Sequence, residues 1–104
     1  MNWSICLFEY FVFLYGVLNN KSIIYRLFQR IPEYSEHILK DYEIQVDEIY
    51  GFESLFHKQG LTTKGNLYLI NQDEINILDN FNKIYRRINI DDVFVYFINP
   101  KNMM

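Results

Sequence analysis

The sequence predicts one small α+β domain, with its elements in the order β-α-β-β-β-α-β-β. Three observations lead there. Residues 11–18, Phe-Val-Phe-Leu-Tyr-Gly-Val-Leu, read as a buried strand, because aromatic and β-branched side chains suit a covered, pleated surface. Asn71-Gln-Asp-Glu74 ahead of an apolar stripe marks a helix start, where the Asn accepts an orphan N–H and the Glu returns the contact. Asp91-Asp92 separates two β-rich runs and implies a tight hairpin.

The first strand halts at Gly16, whose backbone tolerates close approach and unusual φ. A first helix is predicted over Lys21 to Gln29, capped by Asn20 or Ser22 and stopped by Pro32, with Ile23, Ile24, Leu27 and Phe28 on one face. Loose alternation over His37 to Val46 predicts a strand. Gly51 and Gly60 mark turns around a short strand from Phe52 to Lys58, and Lys64 to Ile70 is the next strand. Ile75, Leu78 and Phe81, with Ile77, form the buried stripe of the second helix, which ends near Lys83. Ile84 to Ile90 and Val93 to Ile98 form the hairpin. Residues 1–10 stand apart as an apolar leader that adds an edge strand or covers a sheet face, and residues 99–104 as a frayed tail.

Composition narrows the function. A chain of 104 residues has room for one core, and its 50% hydrophobic content excludes disorder. The formal charge of -3, with ten scattered Lys and Arg, argues against nucleic acid as a partner. The apolar run from Trp3 to Leu18 is shorter than the about 20 residues a membrane span needs. It also lacks the leading cation and the small-residue cleavage site of a signal peptide. With a single cysteine, Cys6, no internal disulfide is possible, and the expected location is cytoplasmic with no membrane partner.

Chemistry-bearing motifs are few. His37 and His57 have no paired Cys or His, so no metal site is expected, and no cofactor motif occurs. Ser4, Ser22, Ser35 and Ser54 lack a G-x-S-x-G context. Asp47-Glu48 and Asp91-Asp92 read as solvated turns. What remains is the strand-to-helix turn at Gly16, whose unpaired N–H groups suit an oxyanion.

Five short motifs in sequence carry a family resemblance. Tyr15-Gly16-Val17-Leu18 is similar to a Tyr-Gly-Thr/Ser-Leu opening, and Gly65-Asn66-Leu67-Tyr68 to a Gly-x-Leu/Val-Tyr strand. Leu78-Asp79 resembles the start of a Leu-Asp-x-x-Glu-Gly helix end, Tyr85-Arg86-Arg87 a Tyr-Arg-Arg strand, and Val95-Tyr96 the last strand. Together they resemble the γ-glutamylcyclotransferase-like family over residues 11–98. The resemblance implies a mixed sheet closing into a barrel beside two helices. It also implies release of a γ-glutamyl group as 5-oxoproline, with the glycine loop holding substrate and one Glu moving the proton.

This sequence departs from that pattern where the chemistry happens. Asn82 stands at the family's Glu, Lys83 at the following Gly, and Val17 at the hydroxyl residue of the loop. An amide cannot take and return a proton, and losing a positioned base costs a factor of about 10² to 10⁴. The expectation is therefore a non-catalytic binder of a small polar or anionic molecule, or a sequestering protein. Tyr15, Gly16, Val17, Leu18, Asn82 and Tyr85 would form the ligand site. Tyr68 and Phe81 are candidate walls, and Arg86 or Arg87 a candidate counter-ion. Two alternatives stay open. One is an active cyclotransferase using Glu53, Glu74 or Asp79 as a substitute carboxylate; their simpler readings are a strand-face charge, a cap partner and a solvated helix residue. The other is a protein-interaction module, with a homodimer through the apolar leader as one form.

Overall fold

Strand β1 (Glu9–Leu14) forms the spine of the molecule. The computed structural model describes residues 8–98. Residues 1–7, which include Cys6 and most of the predicted leader, and the predicted tail at 99–104 lie outside them. Glu9 and Tyr10, assigned to the leader from sequence, belong to β1.

β1 pairs antiparallel with β3 (Glu53–Asn71) and parallel with β5 (Val93–Phe97), so its backbone is bonded along both edges. The mixed five-stranded sheet has the order β2-β3-β1-β5-β4, with β2 at Tyr34–Val46 and β4 at Arg86–Ile90. Successive β1 side chains enter opposite cores, as strand geometry requires. Val12 and Leu14 pack with Ile24, Phe28, Ile75 and Leu78 of the two helices. Phe13 and Tyr15 pack with Leu39, Tyr42, Leu55, Val95 and Phe97 on the concave side. A strand buried on both faces has to be apolar throughout, which explains the unbroken run over 11–15.

The strand ends at Leu14, just ahead of the predicted halt at Gly16. Gly16 takes φ +57, which breaks the ladder, and Gly16–Asn19 forms one turn of 3-10 helix. α1 (Lys21–Phe28) follows, with the Asn20 side chain accepting the N–H groups of Ser22 and Ile23 at 2.9 and 3.2 Å. α2 (Gln72–Phe81) opens with the predicted capping box. Asn71 Oδ1 accepts the Glu74 N–H at 2.9 Å, and Glu74 Oε1 accepts the Asn71 N–H at 3.1 Å. Arg30, just past α1, donates two bonds of 2.7 Å to the same carboxylate and ties the two helices together. The hairpin of β4 and β5 turns through Asp91 and Asp92, both at positive φ as a type I′ turn demands.

Two expectations are corrected. The segments predicted as separate strands over Phe52 to Lys58 and Lys64 to Ile70 are one strand, β3, so the order is β-α-β-β-α-β-β. Gly60, at φ +90, sits in an irregularity of the β2–β3 ladder rather than at a strand end. Lys40 pairs with Thr62, but Tyr42 already pairs with His57, and Asp41 between them takes φ +70 while its side chain accepts the Gly60 N–H at 2.9 Å. Such an excess of residues on one strand bends a ribbon sharply.

The sheet also does not close into a barrel, since no ladder joins its outer strands β2 and β4 among the described residues. The bend curls the ribbon only far enough to bring the start of β3 to the end of β5. There Ser54 Oγ accepts the Ile98 N–H at 2.9 Å, and Leu55 joins Phe97 in the concave core. Side-chain contacts stand where a closed barrel would carry a row of backbone bonds.

Candidate functional site

The curled ribbon places its tip beside the Gly16 turn. Asp47 builds that tip: its Oδ1 accepts the N–H groups of Ile49 and Tyr50, and its own N–H donates to the Phe52 carbonyl at 2.9 Å. Asp47 is thus buried, not a solvated turn residue as the sequence suggested. With the tip fixed, Phe52 and Glu53 face the turn and the end of α2.

Between them lies a cavity of about 510 Å³ lined by Tyr15, Val17, Leu18, Phe52, Glu53, Asn80, Phe81, Asn82, Lys83, Ile84 and Tyr85. Its walls are mainly apolar, with a few polar groups converging on it, the usual make-up of a small-molecule pocket. The structure brings together Tyr15, Val17, Leu18, Asn82 and Tyr85 as walls of this cavity, with Gly16 beneath Glu53. Phe81 also joins the wall, whereas Tyr68 is buried in the helix-side core, its hydroxyl bonded to Asn19.

Polar contacts order the site. Tyr85 donates its hydroxyl to the Glu53 carbonyl at 2.6 Å, and Tyr15 donates to the Tyr96 carbonyl at 2.6 Å. Burial raises the pKa of both phenols, and the Glu53 charge adds to the effect at Tyr85, so both stay neutral donors at physiological pH. Asn82 caps α2 with its backbone N–H on Leu78 O at 2.8 Å. The residue is only 4% exposed, and its Nδ2 has no hydrogen-bond partner among the described residues. A buried donor left unpaired costs about 1–3 kcal/mol, so it reads as a position waiting for an acceptor.

The three candidate carboxylates separate cleanly. Glu74 is held by Arg30 and the Asn71 N–H at the far end of α2. Asp79 accepts the Tyr96 hydroxyl at 2.7 Å and pairs with Arg87 at 3.1 Å, outside the cavity wall. Glu53 alone reaches the glycine turn: its Oε1 accepts the Val17 N–H at 3.1 Å. Neither Arg86 nor Arg87 lines the cavity; Arg87 lies over the Phe94 ring, and Arg86 is exposed. His37 and His57 pack edge-on against Phe13 and Tyr42, and among the described residues no group of His, Cys, Asp or Glu is placed to hold a metal. No helix among these residues is long and apolar enough to cross a membrane.

Sequence reasoning named the turn but not the walls Phe52, Asn80 and Ile84. The one signal for the tip was Asp47 ahead of Gly51, an Asx-turn pattern that orients whatever follows.

A curled mixed sheet with two helices and a cavity at its first strand-to-helix turn defines a recognisable architecture. Three solved structures share the fold. Two are Arabidopsis thaliana proteins determined in solution. At5g39720.1 has a TM-score of 0.74 and 20% identity, covering 95% of this chain and 77% of its own. At3g28950.1 has a TM-score of 0.75 and 15% identity, covering 95% of this chain and 70% of its own. The third is a γ-glutamyl cyclotransferase, with a TM-score of 0.59, 15% identity, and coverage of 88% of this chain and 67% of its own. Neither a family model nor a curated protein sequence matches the chain. The fold is therefore γ-glutamyl cyclotransferase-like, as the motifs implied.

Proposed function

We propose that this protein binds a small polar molecule in the cavity beside Gly16 without converting it. The observation that supports this reading is the buried, unpartnered amide of Asn82 at the position where the resemblance expects a proton-transferring Glu. An amide offers a ligand a hydrogen bond but no titratable group near neutral pH. Tyr15 and Tyr85, both neutral and both committed to backbone carbonyls, supply no base either.

A second reading keeps catalysis and has its own support in Glu53, a carboxylate at the cavity wall. Against it stands what Glu53 does there. Its Oε1 takes the Val17 N–H, the donor that a substrate oxygen would need, so one residue would have to vacate the cradle and act as base in the same turnover.

The deciding experiment incubates the protein with γ-glutamyl amines and peptides, and with small amides that carry no carboxylate. It follows free 5-oxoproline alongside the backbone amide signals of residues 15–18 and 80–85. Shifted amides without 5-oxoproline are the expected result. Release of 5-oxoproline that Glu53→Gln abolishes would establish the second reading instead.

A further inference from the structure

Resting on the binding reading above, the geometry points to a ligand class: we infer that the cavity takes a carboxylate-free amine bearing an amide or other carbonyl beside an apolar body. The argument begins at the anion seat. A turn of free N–H groups at Gly16 was expected to favour an anionic guest, but Glu53 already sits in it. Its Oε1 accepts the Val17 N–H and lies 2.2 Å from where a Cβ on Gly16 would stand, so only glycine leaves room for it. The chain supplies its own anion. A second carboxylate or phosphate entering this cavity meets both a filled donor and a like charge.

What the cavity then lacks is a cation and an acceptor. Glu53 Oε1 makes its bond to Val17, and the carboxylate retains acceptor capacity for an ammonium. Asn82 borders the cavity and its buried Nδ2 is unpaired among the described residues, so a turn of the side chain toward the cavity would offer that donor to a ligand carbonyl. Leu18, Phe52, Phe81 and Ile84 cover the rest. Lys83 also borders the cavity, but it is exposed at the mouth, where water and salt screen it. It therefore does not reverse the preference set by Glu53.

Three near-isosteric probes test this: phenylalaninamide (ammonium and carbonyl), phenylalanine (zwitterion) and N-acetylphenylalanine (carboxylate without amine). Affinity is read from shifts of the residue 15–18 and 80–85 amides, with wild type, Glu53→Gln, Asn82→Ala and Lys83→Gln. The expected order is phenylalaninamide first, at least tenfold above N-acetylphenylalanine. Glu53→Gln should erase that gap, Asn82→Ala should weaken phenylalaninamide several-fold, and Lys83→Gln should change the order little. Glutamine at 53 can still accept the Val17 N–H, so that variant keeps the turn. Tighter binding of the acetylated acid overturns the ligand class while leaving the binding reading intact. Failure of phenylalaninamide to bind also overturns it, and the binding reading falls only if the γ-glutamyl panel shifts no amide either.

Discussion

The carboxylate of Glu53 rests on Gly16, thirty-six residues from the Val17 N–H that it accepts, with no room for even a methyl group between them. The glycine is thus explained twice over. Its φ of +57 turns the chain out of β1, and its missing side chain admits an acid from the other end of the ribbon.

Gly16→Ala should destabilise the fold by about 1–3 kcal/mol, the usual range for a side chain held in the left-handed region. The new Cβ would also collide with Glu53, but a flexible side chain can swing away. In a Glu53→Ala background the loss should therefore be smaller, with only the backbone strain left. Urea melts of the four proteins in the cycle give both quantities.

Gly65→Ala tests a different use of glycine. A Cβ there would stand 2.4 Å from the Leu14 carbonyl oxygen and 2.7 Å from the Phe13 ring. Backbone cannot yield as a carboxylate can, so β1 and β3 must separate. The expected cost is about 1–3 kcal/mol, as for other overpacked cores, with no relief from changes at Glu53. Equilibrium unfolding again supplies the measurement.

The clamp between Arg30 and Glu74 should appear as acid sensitivity. Burial alone would raise the Glu74 carboxyl pKa, but the Arg30 guanidinium and the Asn71 N–H outweigh it and hold the pKa below its ordinary value. A depressed folded pKa gives stability that is whole above the unfolded carboxyl value, about 4.3. That stability drains as pH falls through the lower folded value. Glu74→Gln should cost about 1–2 kcal/mol at neutral pH, and the two proteins should converge in melting temperature as pH falls below 4. Parallel curves down to pH 3 would refute the clamp.

The turn at Asp91-Asp92 is the opposite case, a place to gain stability. Both residues sit at positive φ, and the second position of such a turn prefers glycine. Asp92→Gly should raise stability by about 0.5–1 kcal/mol, visible as a higher melting temperature.

Both helices could be read from sequence because their caps are local: Asn20 and the Asn71–Glu74 box act within three residues of themselves. The hairpin was legible for the same reason. Gly60 misled because a bulge and a strand end call for the same left-handed residue, and only the resumed ladder beyond it tells them apart. From sequence, Glu53 is one of three candidate carboxylates, with a strand-face charge as its simpler reading. Its true position depends on how far the ribbon bends at Asp41, which no short window of sequence encodes. Asn82 entered the site through the family resemblance alone, since an Asn at a helix end otherwise reads as a cap.

That corner at Asp41 and Gly60 also decides which part of the folded chain gives way first. The β1 ladder is a row of backbone bonds on both edges of one strand, whereas the far arm of the ribbon is held to the turn and to the end of β5 by side-chain contacts, Glu53 on the Val17 N–H and Ser54 on the Ile98 N–H. Such contacts release one by one, while a ladder must part as a unit. The chamber is thus expected to open first, so its amides should exchange hydrogen well ahead of those in the β1 ladder, long before the molecule as a whole comes apart.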